Sequence, residues 1–326
     1  MMRSIVKSAH IGCRVAGMAL IASGLFSTSA GAAQNLGPKA SCSECHEAET
    51  EVYKKTKHYK SFKSIAKKKK KEVKKIVRAV AKVNGGKKNI KRNKACALCH
   101  FTEITKKGKT KPTYGPSCES CHGAASEWVD IHNDYGGEDV KRSQESAEHK
   151  KKRHADAVKA GLIWPRTMLY EVAENCSTCH GLAHPDLSGK ELSTMLDAGH
   201  PANADFELVA YANGTNRHRF YPPNPDVNQE MSKQELATMF VIGQIAKLVS
   251  ATEAAKKSDH VKFTAMQAER AASAKTALAK VKSIAAIATF LKNPSKANGK
   301  KAAKAVKGKD LSGQVGSLLP KKGDYK

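Results

Sequence analysis

The chain has 326 residues and a formal net charge of +27, with 57 lysine and arginine residues against 30 aspartate and glutamate residues. Only 6% of its residues are aromatic and its mean hydropathy is -0.51. This composition excludes a protein made mainly of membrane spans. It also leaves little apolar material for a large core built from polypeptide alone.

The N-terminal segment has the organisation of a secretory signal peptide. Arg3, Lys7 and Arg14 form a basic start, residues 15–26 form a short apolar run, and residues 30–32 read Ala-Gly-Ala. The run is too short to span a bilayer, which takes about 20 apolar residues. We expect residues 1–33 to be removed after Ala32 or Ala33 and the mature protein to be periplasmic, with a retained membrane anchor as the alternative.

Removal of this segment takes away Cys13 and leaves eight cysteines, all in Cys-x-x-Cys-His motifs. The four cysteine pairs are Cys42 and Cys45, Cys96 and Cys99, Cys118 and Cys121, and Cys176 and Cys179. The histidines that follow them are His46, His100, His122 and His180. Two cysteines three positions apart on a helical turn can bind both haem vinyl groups, and the adjacent histidine then reaches the iron. The motifs therefore predict four covalently bound haem c groups.

Three other types of chemistry use paired cysteines. Structural zinc sites do not require a histidine after every second cysteine. A thioredoxin-like redox motif would occur once, near a strand and a helix. Disulfides suit an exported protein, but cysteines three apart on a helix are poor bridging partners. Four complete motifs behind an export signal favour haem attachment over all three.

The mature chain keeps a strong positive charge. Loss of the three basic residues leaves a net charge of +24, and full ionisation of two propionates on each haem would lower it to about +16. Such a field favours acidic redox partner proteins or an anionic membrane surface. Nucleic acid is the usual partner of a lysine-rich chain, but export and haem attachment argue against it. The sequence does not indicate an oligomeric state.

The fold class that we predict is mainly α: a loop-rich multihaem domain over residues 34–226, followed by a helical hairpin and a basic tail over residues 227–326. One long helix is expected over residues 51–83, since this stretch has no glycine or proline and its apolar residues recur at helical spacing. Its lysine run at 67–71 predicts a solvated face, with docking as the alternative. No alternating run predicts a sheet.

The last hundred residues predict two helices. Residues 232–235 form a capping box, and Met231 and Leu236 form a hydrophobic staple before an apolar helix that extends to about Val249. A second helix is expected from Phe263 to Leu291, ending at Asn293-Pro294. The lysine-, alanine- and glycine-rich tail from Ser295 is expected to be mobile.

Eight further histidines of the mature chain are candidates for the distal iron ligands: His58, His132, His149, His154, His184, His200, His218 and His260. We favour His200, because a preceding glycine and a following proline suit a loop that folds over a haem.

The first and third motifs resemble the tetrahaem cytochrome c-554 family of ammonia-oxidising and related bacteria. The similar stretches are Cys42-Ser43-Glu44-Cys45-His46, the Lys-His-Tyr-Lys-Ser-Phe context of His58, and residues 115–123, Gly-Pro-Ser-Cys-Glu-Ser-Cys-His-Gly. The resemblance covers roughly residues 38–182. It implies a mostly helical fold with closely packed haems, and it implies His58 and His132 as distal ligands. For the remaining site His149 and His154 are equal candidates, of which we choose His154.

Two classes of function follow. The resemblance implies a periplasmic electron carrier between redox partners, without a catalytic residue. In the type member one haem lacks a sixth ligand, which by motif order would be the haem at His100. The alternative is therefore a haem enzyme that acts on a small nitrogen compound or peroxide at an open haem. We favour the carrier, because the histidines suffice to close every haem. Polymerisation into a haem wire is a third possibility.

Overall fold

Most of the chain is helical, as the sequence predicts, in a computed structural model that describes residues 33–67 and 71–326. The predicted signal peptide up to residue 32 and lysines 68–70 lie outside the described residues. The first seven helices are α1 (Pro38–Ser41), α2 (Glu47–Lys55), α3 (Lys57–Lys67), α4 (Lys71–Asn84), α5 (Lys94–His100), α6 (Cys118–His122) and α7 (Val129–Asn133). The others are α8 (Ala147–Lys159), α9 (Leu169–His180), α10 (Gly189–Asp197), α11 (Leu208–Ala212), α12 (Lys233–Ala254), α13 (Val261–Leu278), α14 (Ala285–Lys292), α15 (Lys296–Val306) and α16 (Ser312–Val315).

The helix expected over residues 51–83 is interrupted at Thr56. This residue has an extended backbone with a ψ of 159°. Its hydroxyl donates to the Tyr53 carbonyl at 2.7 Å and accepts from the Tyr59 N–H at 3.1 Å. A threonine can satisfy both helix ends in this way, so that one helix ends and the next begins without a glycine or proline.

A small sheet occurs where the sequence predicted none. Strands β1 (Thr102–Lys106) and β2 (Lys109–Tyr114) pair in antiparallel register, joined by Lys107 and Gly108. Both turn residues have positive φ, 50° and 69°. Two-residue hairpins favour this type of turn. Gly108 is the residue of the sequence that could have indicated the hairpin.

The segment just before the first motif is tied to the third motif. The buried Glu119 carboxylate accepts the backbone N–H of Leu36 at 2.8 Å, of Gly37 at 2.7 Å and of Ala125 at 3.0 Å. A buried carboxylate is stabilised by such bonds. Glu119 therefore joins the N-terminal segment to α6.

Helix α12 is the centre of the C-terminal region. Ser232 and Glu235 form the predicted capping box at its start. By length and composition the stretch Lys233–Lys257 could cross a membrane, but 67% of its most apolar window is buried inside the protein. It packs against α9, α13 and α15, so it is a core helix that also supports the fourth motif. The contact between α9 and α12 crosses the domain boundary expected at residue 226.

The chain after residue 278 differs from the predicted helix and mobile tail. The second hairpin helix is divided into α13 and α14, with Val281 and Ile284 buried between them. Beyond Ser295 the chain forms α15 and α16, and Ala302, Val306, Leu311 and Val315 are buried. The backbone of Lys326 donates to the Ala210 carbonyl at 3.0 Å and accepts from Thr215 at 2.7 Å. Small apolar residues between the lysines give this segment a buried face, which its composition alone conceals.

Candidate functional site

The four motifs lie on helical turns that end at their histidines. Motif two ends α5, motif three forms α6 and motif four ends α9. Motif one forms a turn in which the His46 N–H donates to the Cys42 carbonyl at 2.9 Å. In each motif the two cysteines are therefore close to one turn apart, as double thioether attachment requires.

Each motif histidine faces one other histidine across a gap of constant width. The ring centroids are 6.4 Å apart for His46 and His132, 6.2 Å for His100 and His200, 6.1 Å for His122 and His218, and 6.0 Å for His180 and His58. The four partners come from α3, α7 and the loops after α10 and α11. The pairs are thus assembled from distant parts of the chain.

The gap has the width that an iron between two imidazoles requires. A metal–imidazole bond is about 2.0 Å, and a ring nitrogen lies roughly 1.1 Å from its ring centre, so two axial rings should have centroids about 6 Å apart. All four pairs meet this distance. The residues present therefore fit four haem groups, each with two histidine ligands.

Hydrogen bonds fix the orientation of several rings. Nδ1 lies 2.5 Å from the Val129 carbonyl in His132, 2.8 Å from the Pro201 carbonyl in His200, and 2.6 Å from the Asn216 carbonyl in His218. His122 has a longer contact of 3.3 Å with the Ile163 carbonyl. An Nδ1–H that donates to a carbonyl leaves Nε2 free to bind iron.

Burial keeps most of these imidazoles in the form that binds iron. It lowers the pKa of His100, His122 and His180 to about 4, and it also lowers the pKa of His58, His132 and His200. A neutral imidazole has the lone pair that coordination needs. These six imidazoles are therefore neutral, and able to bind iron, at neutral pH.

His46 differs from the other motif histidines because it has a carboxylate partner. The Glu49 carboxylate lies 3.5 Å from its Nδ1. A hydrogen bond to this carboxylate raises the pKa of His46, although burial opposes the shift. Half of the His46 side chain is exposed. The other three motif histidines are less exposed than His46.

Several buried polar atoms near the pairs lack a hydrogen-bond partner in the described residues, among them Tyr53 Oη, Trp128 Nε1 and Arg219 Nε. Trp128 lies edge-on to His132 with centroids 5.2 Å apart, and Arg219 follows His218. Buried polar atoms normally have a partner. Haem propionates are groups of the right chemistry to supply acceptors here.

The loop that carries His200 fits the sequence argument for it. Gly199 has a φ of 101°, a conformation that side chains rarely adopt. The turn directs His200 to His100, at the site where the family resemblance implies an open iron position. In this geometry a second histidine occupies that side.

His132 is held by an ion-paired network. Arg153 donates to the His132 carbonyl and forms two 2.7 Å bonds with the Glu145 carboxylate. These bonds lower the pKa of Glu145 to about 2. Both side chains are almost fully covered, with 5% and 2% exposed. The network ties α8 to α7 and so to the ligand side of the first site.

The structure does not bring His154 or His149 to a motif histidine. The His154 ring packs on Trp164 with centroids 4.0 Å apart, and His149 Nδ1 lies 2.9 Å from Glu145. The partner of His122 is His218 instead. Sequence reasoning counted His218 among the eight candidates but did not choose it, because no spacing links it to a motif 96 residues earlier.

The motifs lie beside each other in a definite order. The side chain of Cys118 lies beside that of Cys42, and the side chain of Cys99 lies beside that of Cys179. Asn175, just before motif four, donates to the Ser120 carbonyl of motif three at 2.7 Å. Motif one therefore adjoins motif three, motif three adjoins motif four, and motif four adjoins motif two.

A family model described as cytochrome c554 and c-prime matches residues 41–123, which contain the first three motifs. No curated protein and no solved structure matches the chain. The match confirms the resemblance seen at the first and third motifs. Over these 83 of its 326 residues the chain is similar to the cytochrome c554 and c-prime family, and the match supports a c-type cytochrome with covalently bound haem.

Proposed function

We propose that this protein is a periplasmic tetrahaem electron carrier in which every iron has two histidine ligands. The observation that carries the proposal is the set of four histidine pairs with ring centroids 6.0 to 6.4 Å apart. The ligand pairs are His46 with His132, His100 with His200, His122 with His218, and His180 with His58. Haem iron supplies one-electron chemistry at such sites.

The contacts between motifs support one continuous row of sites. The order is motif one, three, four and two, because the cysteines of successive members lie next to each other. Motifs one and two are the ends of the row. A carrier that accepts electrons from one partner and passes them to another needs close spacing of this kind.

A haem enzyme is the less favoured function. Direct binding of nitrite, hydroxylamine or peroxide requires an open iron position, and the resemblance implied one at His100. The ring of His200, 6.2 Å from that of His100, argues against it. We therefore expect no turnover of these substrates at rates of order 1 to 10³ per second, the range of typical enzymes.

Mass spectrometry and electron paramagnetic resonance of the purified exported protein test the proposal together. The expected mass is that of the chain from residue 33 or 34 plus four haems that acid-acetone does not extract. The expected spectrum contains low-spin iron only. Fewer haems would contradict the tetrahaem assignment, and a stoichiometric high-spin signal would contradict the ligand pairs.

The partner is expected to be acidic. Exposed lysines cluster on α2, α3 and α4, among them Lys55, Lys60, Lys63, Lys71, Lys74 and Lys75. Their field should speed encounter with an acidic protein, and added salt should slow it as the Debye length shortens to about 10 Å at 0.1 M.

Stopped-flow reaction with a plant-type ferredoxin, used as an acidic probe, measures this effect. Lys74→Gln with Lys75→Gln should lower the rate constant at low salt and weaken its salt dependence. The matched control is Lys301→Gln with Lys304→Gln, which removes the same charge from α15. Equal effects of the two double variants would show that no local docking surface exists on α4.

A further inference from the structure

Arg270, on α13, is a buried cation without a carboxylate partner. Its residue is 1% exposed, and it is the largest of the fully buried side chains. Its guanidinium donates to Gln267 Oε1 at 2.6 Å and to Ser250 Oγ at 3.2 Å. Both acceptors are neutral, so the positive charge is not compensated by these bonds.

Three other arginines of the described residues have a carboxylate partner. Arg153, Arg217 and Arg219 each form an ion pair with a glutamate. Arg270 is more deeply buried than any of them, yet it is in none of the ion pairs of the described chain. An uncompensated buried charge is strongly destabilising. Burial lowers the pKa of Arg270 to about 10, so the side chain is still charged at neutral pH.

The charge lies directly beneath the fourth motif. A Cβ atom on Gly181, the residue after His180, would lie 2.5 Å from Nη2 of Arg270. Gln267 connects the two segments further, because its amide donates to the Gly181 carbonyl at 2.9 Å. The guanidinium therefore packs against the end of α9, where helix carbonyls and the helix dipole stabilise a cation.

A fixed positive charge near an iron favours the form that has gained an electron. We infer that the positive charge of Arg270 raises the reduction potential of the haem at motif four. This inference rests on the proposed function, since it needs a haem at that motif.

The inner position of motif four explains why a positive charge beside it would matter. Motif four lies inside the row, between motifs three and two, and close neighbours that carry propionates and gain electrons should make an inner site harder to reduce. A buried cation opposes that effect at one inner site. Lys247 on α12 is another cation near Arg270. It is only partly buried and lies near Glu207 and Asp205, so its charge is better compensated than that of Arg270.

Potentiometric titration of the holoprotein, followed by optical and paramagnetic nuclear magnetic resonance spectra, tests the inference. In Arg270→Gln the equilibrium constant for reduction of one haem should fall about tenfold, which is 59 mV for a one-electron couple. Arg270→Lys should restore most of the shift. Lys275→Gln on the exposed face of α13 removes the same charge and should leave all four potentials within a small fraction of that value.

A second variant keeps every charge. Gly181→Ala should displace the guanidinium, because the new methyl group would overlap it, and should lower the same potential in part. Four haems by mass with four unchanged potentials in Arg270→Gln would overturn the inference alone. Absence of haem from motif four in the unmutated protein would overturn the proposed function instead. If Arg270→Gln does not fold, the Lys and Gly181→Ala variants decide the question.

Discussion

The motif-bearing region, residues 34–145 with three of the four motifs, and the C-terminal region, helices α12 to α16, are stabilised in different ways. The largest cluster of buried apolar residues runs from Tyr170 to Val315 and is centred on α12. By contrast, the cluster around Trp128 contains four buried residues, and Val80 and Ala95 belong to a cluster supplied mainly by later helices. Residues 34–145 therefore have little apolar core of their own. The haem groups of the three motifs in this region would complete it, whereas the C-terminal helices pack on each other without a cofactor.

The largest expected effect is a loss of structure in one region only. If the protein is produced without haem attachment, the motif-bearing region should lose its fold, because haem surfaces form its core. Helices α12 to α15 should keep protected amides, because their core is polypeptide. Hydrogen exchange with mass spectrometry measures this for both regions. Full protection of the motif-bearing region in the haem-free protein would contradict the comparison.

Loss of one distal histidine should affect one haem. His218→Ala removes the ring opposite His122, so one iron of the four should become high-spin. His154→Ala is the matched control, since the His154 ring packs on Trp164 and should not bind iron. Electron paramagnetic resonance distinguishes them. A high-spin signal in His154→Ala with none in His218→Ala would restore the choice made from sequence.

A core substitution in the C-terminal region should change stability without changing the haems. Ile245 is fully buried on α12, and Ile245→Ala should lower the free energy of unfolding by about 2 to 5 kcal/mol. Gln234→Ala, on the exposed first turn of the same helix, should change it by less than about 0.5 kcal/mol. Chemical denaturation followed by circular dichroism gives both values. A changed haem spectrum in native Ile245→Ala would show that the two regions are coupled more tightly than we expect.

The smallest expected effect concerns acid. The ion pair with Arg153 lowers the pKa of Glu145 from 4.5 to about 2, so its stabilising contribution is complete above pH 4.5 and is lost as the pH falls towards 2. Glu145→Gln should therefore be less stable than the unmutated protein at pH 6 and should lose less stability between pH 4.5 and 2. Thermal unfolding across this range measures the difference. Parallel pH profiles would show that Glu145 titrates no differently in the unfolded chain.

The sequence by itself predicted the cofactor chemistry and identified the motif histidines. Haem attachment depends on five consecutive residues, so it can be recognised without knowledge of the fold. The capping box of α12 is equally local, and it was predicted for the same reason. The break at Thr56 shows the limit of such arguments, because a hydroxyl bond ended a helix that the apolar pattern continued.

Only the tertiary structure decided which histidine faces which motif. The paired rings are 86 to 122 residues apart in sequence, and at that separation no helical or strand period relates them. His200 could be anticipated from the glycine and proline around it, while His218 depends on how the loop after α11 folds back over motif three. The burial of Arg270 and of the lysine-rich C-terminal helix is likewise set by packing between distant helices, which residue composition does not encode.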